Sequence, residues 1–233
     1  MDALILAAGL GSRLGKYLEG NPKPMLRIGE KPLLEINIDK LINIGIHQIY
    51  INVHFNPHVI TDFISETQKY KNKVQVIYEE KLLGTAGTVK HVVNSYNPKD
   101  LLVMHGDNYF QDNLVVLVNE YSKREEKFIG VVGTFITSQP ENCGILQIKD
   151  GLIEKIFEKS NENYGNIANS ATYILDKTAL DKIKVLGENQ NDLSINFIPL
   201  IIQQLKPVPF KGIFIDIGTP ENLAKARSHA ETN

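Results

Sequence analysis

The chain is short of cysteine, of net charge and of long apolar runs, and each shortage excludes a class of protein. Cys143 is the single cysteine among 233 residues, so no internal disulfide can form, which suits a reducing cytosol. The 25 basic and 27 acidic side chains nearly cancel, which argues against a surface that coats nucleic acid. No stretch approaches the roughly 18 consecutive apolar residues of a membrane span, and the N-terminus lacks the basic segment of a secretory signal. We therefore expect a cytoplasmic protein that binds neither nucleic acid nor membrane.

What the chain does contain is an alternation of strand-like and helix-like segments. Apolar runs rich in β-branched residues predict strands, and apolar residues at helical spacing predict helices between them. The predicted strands are 2–8, 48–53, 74–78, 101–104 and 128–137, and the predicted helices are 33–42, 57–70, 85–95 and 114–124. This order favours an α/β fold with a parallel sheet covered by helices on both faces.

The pattern changes after Pro140, where short strands are separated by polar turns. Strands are predicted at 144–148, 152–157, 168–175 and 213–217, with helices at 192–204 and from 219 onward. Pro199 lies inside the first of these helices and is expected to kink it. We therefore predict one α/β domain that carries an inserted or appended sub-domain in its second half.

Ligands bind at the carboxyl ends of strands in open parallel sheets, so the segment after the first strand is the first candidate. Residues 6–16 form a glycine-rich turn whose backbone N–H groups could approach phosphate oxygens. Leu14 stands where the dinucleotide fingerprint needs a third glycine, and Tyr17 stands where a Walker A loop needs Ser or Thr. The loop therefore belongs to another phosphate-binding class or is only a turn.

A lysine follows about ten residues later, between two prolines. Prolines restrict their own backbone and that of the preceding residue, so Pro22 and Pro24 present Lys23 from a stiff segment. This arrangement is typical of a positioned cation, although an exposed turn lysine would give the same sequence.

Together with seven further segments, these two motifs resemble the sugar-1-phosphate nucleotidyltransferases, and among them the mannose- and heptose-1-phosphate guanylyltransferases most. The motifs are 6–13 (LAAGLGSR), 22–25 (PKPM), 31–35 (KPLLE), 83–87 (LGTAG), 106–108 (GDN), 142–144 (NCG), 158–159 (EK), 169–173 (NSATY) and 214–221 (FIDIGTPE). They run along nearly the whole chain in the order that the family shows.

The resemblance implies a reaction and an architecture. The reaction joins an NTP and a sugar 1-phosphate into an NDP-sugar and pyrophosphate, with Mg²⁺ as the cofactor. The architecture is a Rossmann-like, mostly parallel sheet with helices on both faces and a smaller sugar-binding sub-domain. Residues 1–233 would form a single domain, in which about 1–140 bind the nucleotide and about 141–233 supply the sugar site and a second metal carboxylate. A homodimer is left open, and neither an acetyltransferase half nor a β-helix trimer is expected.

The resemblance also assigns roles to residues at matching positions. Arg13, Lys23, Asp107 and Asp216 would be catalytic, and the two aspartates would hold the metal. The sugar phosphate would contact Gly144, Glu158, Lys159 and Asn169. The nucleotide would contact Leu6, Ala7, Ala8, Gly9, Gly11, Ser12, Arg13, Lys23, Glu79, Gly84 and Thr85.

These residue types suit the implied chemistry. A phosphate monoester has a second pKa near 6, so the attacking sugar phosphate is already mostly ionised at pH 7 and needs no general base. The protein must instead hold two anions together and neutralise developing charge, which calls for cations, backbone donors and carboxylate-bound Mg²⁺.

The base and the sugar stay open at this level. Glu79 or Glu80 could accept hydrogen bonds from guanine, could accept from the amino group of cytosine, or could point into solvent. GTP is favoured over UTP, dTTP and CTP. A non-catalytic NDP-sugar-binding protein is the remote alternative, disfavoured because both metal carboxylates are present.

Overall fold

A computed structural model describes residues 1–231 of the chain. The strands are β1 (Asp2–Leu6), β2 (Arg27–Ile28), β3 (Lys31–Pro32), β4 (Ile49–Val53), β5 (Val74–Tyr78), β6 (Leu101–His105), β7 (Asn108–Phe110), β8 (Gly130–Ile136), β9 (Gly144–Lys149), β10 (Leu152–Glu158), β11 (Ile167–Leu175), β12 (Leu205–Pro209) and β13 (Phe214–Asp216). The helices are α1 (Leu33–Asn43), α2 (Pro57–Glu66), α3 (Gly84–Tyr96), α4 (Val115–Ser122), α5 (Lys177–Lys184), α6 (Ile198–Ile201) and α7 (Pro220–Glu231). The predicted α/β fold with a mostly parallel central sheet is confirmed, and the sheet also contains antiparallel pairs. No helix of this described part is both long enough and apolar enough to span a membrane.

The chain folds into two compact units that no single cut in the sequence would separate. Unit 1 contains Met1–Leu82, Met104–Asp112 and Gly212–Asn233, and unit 2 contains Leu83–Val103 and Asn113–Lys211. The predicted division into a nucleotide-binding part before about residue 140 and a sugar-binding part after it stays a prediction.

In unit 1, three strands pair in parallel, and the loops predicted to bind ligands follow their carboxyl ends. β4 pairs in parallel with both β1 and β5, so the carboxyl ends of all three strands lie at one edge. The segment after β6 joins this edge, because the Gly106 N–H donates to the Leu6 carbonyl at 2.9 Å. A side chain at Gly106 would be crowded, since a Cβ would lie 3.1 Å from the Leu6 carbonyl oxygen and from Ile5.

In unit 2, β11 is the centre of a mostly antiparallel arrangement. It pairs antiparallel with β8, with β9 and with the Leu101–Val103 part of β6. The β11–β8 register breaks between Asn169 and Tyr173, where β11 carries more residues than the facing stretch of β8. Such a bulge redirects side chains locally, and it falls on a motif that the sequence resemblance assigns to the sugar.

Two elements of unit 2 were not predicted. α5 begins at the N-cap Asp176, whose side chain accepts from the Ala179 N–H at 3.1 Å, a signal present in the sequence. β12 contains Pro207 and Pro209 and pairs in parallel with β8. Proline lacks a ladder donor, so its place in strands is at edges, and sequence patterns alone do not mark such a segment as a strand.

The predicted helix 192–204 forms in pieces. A π-helical turn spans Leu193–Phe197, α6 follows, and a 3-10 turn spans Ile202–Gln204. Pro199 lies in the first turn of α6, where its missing N–H leaves no hydrogen bond unmade. The irregularity therefore lies in the π turn before the proline.

A two-stranded ribbon in unit 1 connects distant parts of the chain. β7 pairs antiparallel with β13, which sets Asp216 opposite Asn108. Apolar side chains from the glycine-rich loop, α1, β7 and α7 pack together here, among them Leu18, Leu33 and Leu223. α1 also contacts the ribbon through Lys40, whose ammonium donates to the Phe110 carbonyl and lies 3.4 Å from the Asp112 carbonyl.

The stability of the protein is expected to rise between pH 8 and 10.5 because of Lys40. Burial lowers the pKa of Lys40 to about 8, so in this window the unfolded chain binds a proton that the folded chain does not. Stability then increases with pH, by about 3 kcal/mol across the window at about 1.4 kcal/mol per pKa unit. Urea unfolding of wild type and Lys40→Met at pH 7.5 and pH 10.5 measures the difference. Equal changes in the two proteins would contradict the assignment to Lys40.

Candidate active site

The ammonium of Lys23 bridges two carboxylates in unit 1. Its Nζ donates to Asp107 Oδ2 and, at 3.1 Å, to Asp216 Oδ1. The Lys23 side chain is 9% exposed, whereas the Asp107 and Asp216 side chains are 24% and 48% exposed. The lysine is therefore fixed within the protein while both carboxylates remain open to solvent on one side.

Three separate backbone segments bring these groups together. Lys23 begins a 3-10 turn after Pro22, and the Met25 and Leu26 N–H groups close that turn. Asp107 follows β6, and its carbonyl accepts from the Ile217 N–H at 3.0 Å. Asp216 ends β13, opposite Asn108 in the ribbon.

Gly218 permits the close approach of the charged groups. A Cβ at this position would lie 2.8 Å from the Arg13 guanidinium, 2.9 Å from Asp216 Oδ1 and 3.0 Å from Lys23 Nζ. Its N–H also donates to Asp216 Oδ1 at 2.8 Å. Glycine therefore supplies both a backbone donor and the space that a side chain would fill.

Arg13 adds a second, more exposed cation. Its guanidinium lies 3.9 Å from Asp216 Oδ2, and its side chain is 68% exposed. An exposed ion pair of this length contributes little to stability. The guanidinium is therefore available to an anionic ligand.

The donor set fits a magnesium ion. Among residues 1–231, no group of three or more His, Cys, Asp or Glu side chains converges as a metal site. Mg²⁺ in phosphate-transfer sites needs only one or two carboxylates, with phosphate oxygens and water as its other ligands. Asp107 and Asp216 already share one cation, Lys23, so they lie close enough to share another.

Charge around Asp107 keeps it ionised. Burial raises the pKa of its carboxyl, but Lys23 and His105 lower it further than burial raises it, so the pKa lies below the ordinary value. A carboxylate binds a metal only when it is deprotonated, and the lowered pKa of Asp107 favours that form.

Glu79 lies in a hydrogen-bonded chain that ends at the glycine-rich loop. The Ala7 N–H donates to Asn52 Oδ1 at 2.8 Å, and Asn52 Nδ2 donates to Glu79 Oε1 at 2.9 Å. Glu79 is 3% exposed, whereas Glu80 is exposed. The structure therefore separates the two glutamates that sequence analysis treated as a pair, and it connects only Glu79 to the loop.

The other predicted loop residues line the same turn. Leu6, Ala7 and Ala8 are buried at the end of β1, and Gly9 is exposed with open space beside it. Gly11 and Ser12 begin the turn that leads to Arg13.

Gly84 and Thr85 lie in unit 2, where they contact the start of the π turn and the residues just before it. Thr85 Oγ1 accepts from the Leu193 N–H at 2.8 Å. A Cβ on Gly84 would lie 2.4 Å from the Asn191 carbonyl oxygen. Their side-chain and steric roles shown here are structural, and a nucleotide contact at these residues stays a prediction.

A second cluster in unit 2 joins the residues predicted for the sugar. The Glu158 carboxylate lies over Gly144, where a Cβ would be 2.4 Å from Glu158 Oε1. Burial raises the pKa of Glu158, Lys159 lowers it and Asp192 raises it, so the net pKa lies above the ordinary value. The carboxyl group is therefore enclosed near a second acidic side chain.

Lys159 has a left-handed backbone, with φ at 45°. Its N–H donates to the Cys143 carbonyl at 3.1 Å, and its side chain is exposed. A non-glycine residue in this region is strained, and such strain persists where surrounding contacts impose it, commonly at functional sites.

Asn169 is fixed by the bulge in β11. Its Nδ2 donates to the Tyr173 hydroxyl at 2.7 Å, and its Oδ1 accepts from the Ala171 N–H at 2.9 Å. Ala171 is itself left-handed, with φ at 51°. Burial of Tyr173 raises the pKa of its hydroxyl, so the hydroxyl keeps its proton and remains a neutral partner.

Comparison with known proteins agrees with this arrangement. The chain matches the nucleotidyl transferase family over residues 2–233. It belongs to that family. The predicted resemblance to sugar-1-phosphate nucleotidyltransferases is thereby confirmed.

Relatives of this nucleotidyltransferase chain carry several names. It is 30% identical to the bifunctional protein GlmU of Methanococcus maripaludis, over 98% of the chain and 54% of the relative. It is 28% identical to the mannose-1-phosphate guanyltransferase of Saccharomyces cerevisiae, over 96% of the chain and 63% of the relative. The chain thus spans between half and two thirds of the length of these relatives.

Solved structures with the same fold also carry different names. A Bacillus anthracis protein assigned as a glucose-1-phosphate thymidylyltransferase, in complex with sucrose, superposes with a TM-score of 0.90 at 25% identity, covering 100% of the chain and 96% of that protein. HddC from Yersinia pseudotuberculosis, complexed with GMP-PN, superposes with a TM-score of 0.80 at 28% identity, covering 98% of both chains. The names agree on nucleotidyl transfer where they state an activity, and they differ in the base.

The linking role of Asn52 in this nucleotidyltransferase was not predicted from the sequence. Its signal was an amide within the apolar strand Ile-Tyr-Ile-Asn-Val, where a buried polar side chain needs a partner. Gly218 stood inside one of the family motifs, but only the fold shows that a side chain there would press against the charged ends of Arg13, Lys23 and Asp216.

Proposed function

We propose that this chain transfers a nucleoside monophosphate from an NTP, with GTP favoured, to a sugar 1-phosphate of mannose or heptose type. The products are an NDP-sugar and pyrophosphate. The observation that carries the proposal is the Lys23 ammonium bridging Asp107 and Asp216 beside the glycine-rich loop. A fixed cation beside two open carboxylates suits a phosphoryl-transfer site, where charge on phosphate oxygens must be neutralised.

The residues of unit 1 would act on the triphosphate. Backbone N–H groups of the glycine-rich loop and the Arg13 guanidinium would hold the β- and γ-phosphates. Lys23 would neutralise charge at the α-phosphorus while the sugar-phosphate oxygen attacks and pyrophosphate leaves in line. Mg²⁺, held by Asp107 and Asp216, would supply further charge neutralisation at the phosphate oxygens.

The residues of unit 2 would hold the acceptor. Lys159 would pair with the phosphate of the sugar. Glu158 would accept hydrogen bonds from sugar hydroxyls, while Asn169 and the backbone at Gly144 would complete the site.

The preference for guanine is supported by Glu79. A buried carboxylate can accept the two N–H donors on the Watson–Crick edge of guanine, and Glu79 is buried and joined through Asn52 to the loop. The guanyltransferase name of the yeast relative and the GMP-PN complex of HddC point the same way. The thymidylyltransferase name of another structural neighbour favours a pyrimidine nucleotide as the second candidate.

Loss of either metal carboxylate is expected to abolish turnover. Asp107→Asn and Asp216→Asn keep the side-chain shape but remove the charge that would hold Mg²⁺, so pyrophosphate release should fall by at least about 100-fold. A magnesium titration of pyrophosphate release measures this, with circular dichroism to verify folding. Asp150→Asn, an exposed turn carboxylate, is the matched control. Near-normal turnover of either variant at saturating Mg²⁺ would remove that residue from the metal site.

Lys159→Ala is expected to weaken the binding of the sugar 1-phosphate far more than the binding of the NTP. A lysine paired with a phosphate contributes roughly 1.5–3 kcal/mol, or about 10- to 150-fold in KM. Separate KM values for the two substrates decide this, with Lys155→Ala, an exposed lysine of the preceding strand β10, as control. Equal weakening of both substrates would place Lys159 at a shared centre or in the fold.

GTP is expected to exceed CTP, UTP and dTTP at least tenfold in kcat/KM. A site that hydrogen-bonds a base edge rejects the wrong base, because mismatched polar groups stay unpaired. Glu79→Gln should narrow this ranking, since the amide can still accept from Asn52 but lacks the charge. Glu80→Gln should leave the ranking unchanged.

A matrix of four NTPs against several sugar 1-phosphates, read by pyrophosphate release, tests the proposal as a whole. A pyrimidine preference would reject guanine and leave the nucleotidyl transfer standing. If no pair of substrates released pyrophosphate, the proposed catalysis would be rejected.

A further inference from the structure

The ribbon formed by β7 and β13 carries both metal carboxylates at one end. Asp107 immediately precedes β7, and Asp216 is the last residue of β13, opposite Asn108. The Ile217 N–H donates to the Asp107 carbonyl at 3.0 Å, and the Gln111 N–H donates to the Ile213 carbonyl at 3.1 Å. The two carboxylates therefore move with the ribbon, and their position relative to Lys23 depends on where the ribbon lies.

Asn37 of α1 contacts the β7 strand of the ribbon. Its side chain is fully buried, and Nδ2 donates to the Asn108 carbonyl at 3.3 Å. Within residues 1–231, the Asn37 Oδ1 atom has no hydrogen-bond partner. A buried acceptor without a partner opposes folding, and its presence asks for a reason.

Lys40 lies about one turn further along α1 and contacts the same strand. Its ammonium donates to the Phe110 carbonyl, lies 3.4 Å from the Asp112 carbonyl and lies 4.0 Å from the centre of the Phe110 ring. Burial lowers the pKa of this lysine, so its charge also opposes folding. Asn37 and Lys40, both buried at a cost in free energy, thus contact alternate backbone carbonyls of one short segment, residues 108–112.

We propose that Asn37 and Lys40 are positioning residues, which fix the β7–β13 ribbon against α1 and so set where the Asp107 and Asp216 carboxylates lie relative to the Lys23 ammonium. The inference rests on the proposed function only in taking these aspartates as metal ligands. The other buried residues of α1 are apolar, namely Leu33, Leu34, Ile38 and Leu41. If only stability mattered, apolar side chains would also be expected in place of Asn37 and Lys40. Donors aimed at the ribbon's carbonyls restrict its sliding and tilting along the helix, which apolar packing does not.

The test uses Mn²⁺ as the probe, since it takes the oxygen ligands of Mg²⁺ and is detected directly by electron paramagnetic resonance. Asn37→Leu and Lys40→Met remove the donors and keep similar side-chain volumes. Both are expected to raise the Kd for Mn²⁺ about three- to tenfold and to raise the half-saturating Mg²⁺ in pyrophosphate release by a similar factor. The Tm of Asn37→Leu should equal or exceed that of the wild type, because the unpartnered oxygen is gone.

Two further variants separate positioning from general destabilisation. Ile38→Val, a buried neighbour on α1, should lower the Tm by a few degrees and leave the Kd for Mn²⁺ within about twofold of the wild type. Lys40→Arg keeps the charge and the donors, and it should recover most of the affinity that Lys40→Met loses.

The possible outcomes distinguish failure of the positioning role from failure of the proposed metal site. Unchanged Mn²⁺ affinity in both Asn37→Leu and Lys40→Met, with binding by the wild type, would overturn the positioning role alone. An equal loss of affinity in Ile38→Val would also overturn it, because any loosening of α1 would then suffice. A wild type that takes up no Mn²⁺ would overturn both this inference and the proposed metal site.

Discussion

The bridging of two carboxylates by the Lys23 ammonium is the constraint on which the rest of unit 1 depends. The lysine is separated from its partners by 84 and 193 residues along the chain. A buried ammonium is stable only where its charge is compensated, so three chain segments must meet within hydrogen-bond distance. The proline-flanked turn, the glycine after β6 and the glycine after β13 all serve this meeting, because each removes either backbone freedom or a side chain that would block it.

The same constraint makes the site suitable for phosphates. The Lys23 ammonium contacts both carboxylates, the Arg13 guanidinium lies near Asp216, and both carboxylates and the guanidinium remain partly exposed. Unit 2 is organised differently, around the half-buried Glu158 carboxylate, an amide fixed by a bulge and a lysine in a left-handed conformation. Each unit thus carries a set of groups that its own backbone holds in place, and neither set includes a positioned nucleophile or base of the kind that covalent catalysis requires.

Some unfavourable local features lie at or beside these sets. Lys159 and Ala171 are left-handed without being glycine, and Asn37 buries an amide oxygen without a partner among the described residues. Strain and unmet polar groups persist where neighbouring structure imposes them. Their location beside the predicted sugar residues and against the carboxylate ribbon agrees with sites in which geometry takes precedence over local stability.

The sequence by itself determined the fold class, the main strands and helices, the order of the motifs and the family. It could do so because apolar periodicity and glycine–proline punctuation are local properties, and the motifs lie where strands end. The π turn after Asp192, the proline-containing β12 and the two interleaved units were not visible in it, because they depend on pairing between distant segments. Glu79 and Glu80 are equivalent in the sequence, and only burial against Asn52 distinguishes them. The meeting of Asp107 and Asp216 was likewise decided by tertiary structure, since two carboxylates 109 positions apart in the sequence come together only when β7 and β13 pair.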